Sequence, residues 1–91
     1  MLFVIHCVDK EGRLQVRMDN RPAHIEYLKS YGDQLHAAGP TLAEDGSMNG
    51  SVVILDLEDR AAAEAFAAGD PYKKAGLFET VTISNWKKVL P

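Results

Sequence analysis

Cysteine is almost absent from this chain, and so is any long apolar run. Cys7 stands alone among 91 residues, so no intrachain disulfide can form and no Cys-x-x-Cys metal or redox motif exists. Residues 1–9 carry no basic region ahead of their apolar stretch, which is too short for a secretory leader. No segment approaches the roughly 20 apolar residues that a bilayer-crossing helix requires. These absences predict a cytoplasmic protein without a membrane partner. Basic residues are also few: ten Lys and Arg stand against thirteen Asp and Glu, a net charge of −3 with the histidines neutral. Apart from Lys73-Lys74 and Lys87-Lys88 they are scattered. No stripe can track a phosphate backbone, so no nucleic-acid partner is expected.

Other signatures are missing as well. His6, His24, His36 and Cys7 show no metal-ligand spacing, so no metal or other cofactor is expected. Ser51 and Ser84 lack the Gly-x-Ser-x-Gly setting of a nucleophilic serine. There is no linker and no internal repeat, which predicts one domain over residues 1–91. A chain this short buries a thin core, and burial shared with a second subunit is a natural supplement.

What is present has a clear order. Residues 2–8 are apolar except for His6 and predict a strand buried on both faces. Residues 9–20 are polar and read as a connection. Asn20 or Arg21 then caps a helix that accepts Pro22 in its first turn, runs to about residue 36 or 38 and stops at Gly39-Pro40. On that helix Arg21, His24, Leu28, Tyr31 and Leu35 share one stripe. His24 therefore faces inward near the helix start, and His36 sits at its end. Residues 40–45 predict an edge strand and residues 51–57 a strand apolar on both faces. Asp59 caps an alanine-rich helix anchored by Phe66 and ended by Gly69. Asp70-Pro71 opens a turn or short helix through Lys74, and residues 78–89 form the last strand.

The order strand, helix, strand, strand, helix, strand predicts an α+β, ferredoxin-like βαββαβ fold with both helices on one face of an antiparallel sheet. RNA-recognition domains share that order, but the aromatic strand motif they need is missing here. The first and third strands are apolar on both sides, while the helices cover only one. The uncovered face predicts a homodimer packed sheet to sheet.

Two short motifs carry the candidate chemistry: Arg21-Pro22-Ala23-His24 and Gly69-Asp70-Pro71-Tyr72. His24 is either a half-buried residue satisfied by a backbone carbonyl or a general acid/base. A helix start disfavours the imidazolium and a carboxylate favours it. Asp70 is either a turn starter or the group that orients the imidazole in one tautomer. Arg21 could hold an anionic substrate group or make a surface salt bridge. Tyr72 and Ser51 are candidate pocket-lining, substrate-binding residues.

These motifs, with Ala38-Gly39-Pro40, Gly50-Ser51 and Trp86-Lys87-Lys88-Val89, resemble the small YciI-like family over essentially the whole chain and in order. The resemblance implies a dimeric ferredoxin-like α+β barrel, related in shape to muconolactone isomerases. It also implies a His–Asp pair in a pocket near the dimer interface, at positions His24 and Asp70. Some members of that family act in breakdown of chlorinated aromatic compounds, and many have no assigned reaction. A cofactor-independent enzyme is expected, of isomerase, lyase or dehalogenase type, acting by proton transfer on a cyclic or aromatic molecule. The alternative is a non-catalytic module that binds a metabolite in the same pocket.

Overall fold

The computed structural model describes all 91 residues. Its elements in chain order are β1 (Leu2–Asp9), α1 (Leu14–Lys29), a 3-10 turn (Gly32–Gln34), β2 (Leu35–Leu42), β3 (Met48–Asp56), α2 (Arg60–Gly69), α3 (Pro71–Lys74) and β4 (Phe78–Trp86). The four strands form one sheet in the order β2-β3-β1-β4, every neighbouring pair antiparallel. This is a ferredoxin-like α+β fold.

Side-chain alternation along the strands separates two faces. Phe3, Ile5 and Cys7 of β1 and Ser51, Val53 and Leu55 of β3 are buried, as are Leu28 of α1 and Ala63 and Phe66 of α2. The core therefore lies between the sheet and the helices. On the outer face Leu2, Val4, Val52 and Ile54 are only half-buried, and His6 and Val8 are exposed. The expectation that the first strand is buried on both faces thus fails within a single chain, because no layer of the same chain covers the second face. No helix is long and apolar enough to cross a membrane.

The larger departure from expectation concerns α1. It begins at Leu14, so residues 14–20 are helical rather than a connection, and Pro22 lies inside the helix instead of in its first turn. Arg13 precedes the helix without a side-chain cap. The helix also ends earlier than Gly39: it closes at Lys29, and Gly32, with φ of 55°, turns the chain into β2. Gly39 and Pro40 consequently sit within β2, with Pro40 opposite Ser51, and His36 is a strand residue. β2 is an edge strand, where a proline is tolerated. The C-terminal half follows the sequence closely. The Asp59 carboxylate accepts from the Ala62 amide at 2.8 Å and caps α2, and Asp70 caps α3, whose first residue is Pro71.

Candidate active site

β1 ends, β3 begins, α2 ends and β4 begins at the same end of the sheet. Asp70 stands there at the junction of α2 and α3. Its Oδ1 accepts from the Tyr72 amide at 2.9 Å, which pins the carboxylate by helix capping before any other partner is considered. The same oxygen lies 3.0 Å from His24 Nδ1. Both side chains are buried. With Asp70 as acceptor, Nδ1 carries a proton, and in the neutral ring Nε2 then keeps its lone pair. His24 sits in the third turn of α1, not at its start, so the field of the helix N-terminus does not bear on it.

Tyr72 packs its ring on the His24 imidazole, with centroids 3.9 Å apart and planes 18° from parallel. The Arg17 guanidinium lies 4.6 Å from the centre of the same ring, a distance suited to a cation–π contact. Arg17 is the residue that sequence reasoning missed. It is 3% exposed and grips Asp9 through two bonds, Nε to Oδ2 at 2.8 Å and Nη2 to Oδ1 at 2.9 Å. Nη2 also donates to Ser51 Oγ at 2.9 Å. Burial works against the Arg17 charge, but the hydrogen bonds and charge of Asp9 outweigh it and hold the guanidinium above its ordinary value. Burial raises the Tyr72 phenol, while Arg17 and Arg21 pull the other way. Cys7, beneath the site, is pushed up to about 12 by burial first and by the negative charges of Asp70 and Asp9 next.

Arg17, Arg21, His24, Ser51 and Tyr72 line one pocket of about 140 Å³, with Ile25, Leu28, Met48, Val53 and the β2 segment Ala38-Gly39-Pro40 as its apolar wall. All five candidate residues named from the sequence are therefore close in space: four line the pocket, and Asp70 backs His24. Arg21 is exposed and forms no salt bridge within the chain. Its guanidinium is free to meet an anion at the pocket mouth. The signal that leads to Arg17 is helical spacing: it lies one turn before Arg21 and two before His24.

The profile of the YCII-related domain matches residues 1–87 of the chain. The chain belongs to this family. Among YCII-related proteins, Protein YciI of Escherichia coli O6:H1 is 40% identical, with 98% of this chain and 99% of the relative covered. An uncharacterized protein of Haemophilus influenzae is 35% identical over the same shares. Among solved structures, the 5-chloro-2-hydroxyhydroquinone dehydrochlorinase (TftG) of Burkholderia phenoliruptrix, in complex with 2,5-dihydroxybenzoquinone, superposes with a TM-score of 0.89 at 39% identity. That match covers 96% of this chain and 94% of the other. An antibiotic biosynthesis monooxygenase from Bacteriodes thetaiotaomicron, described in its structure as putative, shares the fold at 13% identity, with a TM-score of 0.61, 100% of this chain and 90% of that one covered.

Proposed function

We propose that this YCII-related protein is a small-molecule enzyme that eliminates H–X from a hydroxylated six-membered ring, with His24 and Asp70 as its acid/base pair. The observation that carries this is the 3.0 Å approach of His24 Nδ1 to Asp70 Oδ1 at a pocket bearing two guanidiniums. On the keto tautomer of the ring, in which the carbon bearing X is tetrahedral, His24 Nε2 takes a proton from a hydroxyl or from the neighbouring carbon. Asp70 stabilises the imidazolium that forms and holds the ring in its tautomer. The departing group leaves as an anion with the bonding electron pair, and a double bond remains. Such a step needs neither oxidant nor reductant, which suits a cofactor-independent enzyme.

The pocket supports the substrate class. A cavity of about 150 Å³ accommodates one benzene ring, and this one is close to that size at about 140 Å³. Arg21 at the mouth favours an ionised hydroxyl or carboxylate on the substrate, and Arg17 positions Ser51 to donate or accept on the ring's other edge. The dehydrochlorinase relative acts on a ring of this kind and binds a dihydroxybenzoquinone. The working unit is proposed as a cytoplasmic homodimer packed through the outer sheet face.

The test is chloride release from 5-chloro-2-hydroxyhydroquinone and from a panel of halogenated hydroxylated rings. Turnover should fall by roughly 10²- to 10⁴-fold in His24→Gln. A ring compound that raises the melting temperature yet is never converted would replace this reading with a metabolite-binding module.

A further inference from the structure

Asp70 is the first residue beyond α2, so its place against His24 depends on how the last turn of α2 docks on α1. That docking has a specific device. The Tyr27 hydroxyl donates to the Phe66 carbonyl at 2.8 Å. This carbonyl lies in the last turn of α2, where helical acceptors run out of amide partners. The amide four residues on, that of Asp70, bonds the Ala67 carbonyl instead, at 3.4 Å. Tyr27 thus satisfies an acceptor four residues before Asp70, and it does so from the same helix as His24, one turn further along.

Gly69 completes the device. Its backbone does not occupy the left-handed region, so conformation alone would admit other residues. A Cβ there would lie 2.5 Å from the Tyr27 hydroxyl oxygen and 3.2 Å from Cζ. Tyr27 has little room to retreat, since its ring stacks on Phe66 with centroids 5.3 Å apart and meets Tyr31 edge-on at 5.5 Å. The glycine is the space in which the hydroxyl sits.

We propose that Tyr27 is a positioning residue of the site, and that with Gly69 it sets the end of α2 so that the Asp70 carboxylate meets His24 Nδ1. This rests on the His24–Asp70 pair proposed above. It adds that the pair is held from behind, by a tyrosine outside the lining of the pocket.

The readout is the His24 Nδ1–H resonance in ¹⁵N-histidine NMR spectra of the full chain, for which no substrate is required. In Tyr27→Phe, which keeps the ring, hydrogen exchange of Nδ1–H with water should quicken by about fivefold, the effect of losing one hydrogen bond of ordinary strength. Gly69→Ala should do the same by displacing the hydroxyl. Combining the two should cost less than the product of the single effects, because the oxygen at 2.5 Å is then gone and only the ring carbon at 3.2 Å still crowds the methyl. This non-additivity is the mark of a shared contact. Exchange in Tyr27→Phe within twofold of the parent overturns the proposal, as do effects that simply multiply. If Gly69→Ala does not fold, Tyr27→Phe alone decides. Asp70→Ala separates the two levels: a protected Nδ1–H that survives it sinks the His24–Asp70 pair itself. A signal that needs Asp70 but ignores Tyr27 sinks only the positioning role.

Discussion

Arg17 joins more of the site than any other side chain, because Asp9, Ser51 and Tyr72 all meet it. Its removal should be felt first as lost stability. Arg17→Met strands a buried Asp9 carboxylate, and urea unfolding should show a loss of roughly 3–5 kcal/mol. Pairing it with Asp9→Leu should recover much of that loss, since an apolar pair replaces an ionic one. Cys7 offers a second prediction. With its thiol pushed up to about 12 by burial and two nearby carboxylates, alkylation by iodoacetamide at about pH 8 should proceed only as fast as the chain opens, since the thiolate is the nucleophile. Modification of Cys7 faster than global unfolding would contradict this burial. The legibility of the site followed the same lines. His24 and Asp70 were visible because each sits in a distinctive tetrapeptide. Arg17 is hidden because it lies in a polar stretch ahead of a proline, in a helix that no capping side chain announces.

At the scale of elements, α2, α3, β1, β3 and β4 are readable because their signals are local, whereas the edge strand expected at residues 40–45 is Leu35–Leu42, its first half hidden in the stretch expected to be helix. Asp59 caps α2, Asp70 caps α3, and the strands alternate. α1 withheld both of its ends. It starts after Arg13 with no capping side chain, carries Pro22 in its interior, and ends before a glycine that a later Gly-Pro pair outshone. The interior proline lacks the amide that would bond the carbonyl four residues back, and such a residue costs a helix about 3 kcal/mol. Pro22→Ala should therefore stabilise the protein by about 2 kcal/mol, the remainder being offset by the freer unfolded chain. The gain should register as a higher urea midpoint. An unchanged or lower midpoint would mean that the backbone around Met18 is committed to another arrangement.

For the molecule as a whole, alkaline conditions are the exposed flank. Cys7, Tyr27 and Tyr72 are all raised by burial, from ordinary values of 9.0 for the thiol and 10.0 for the phenols. Above those values the unfolded chain releases protons that the folded chain retains, so stability should fall as pH rises. The urea midpoint at about pH 10.5 should lie below that at about pH 7.5, and the decline should be shallower in Cys7→Ala. The second expectation at this scale is assembly. Leu2, Val4, Val52 and Ile54 form an apolar surface opposite the helices. Sedimentation at micromolar concentration should show a species of twice the chain mass, and a monomer alone would refute the dimer. The two-sided strands make this face legible in the sequence, and the expectation that a second copy covers it rests on that face.

Trp86 is the only tryptophan of the chain, and it stands at the end of β4 opposite Leu2, 42% exposed, on the same outer face. Every photon of indole emission therefore originates at the rim of the surface through which two chains would meet, and none arises from the pocket that His24 lines. The protein carries a built-in optical gauge of self-association: its emission should move to shorter wavelength on concentration and stay still when the pocket fills.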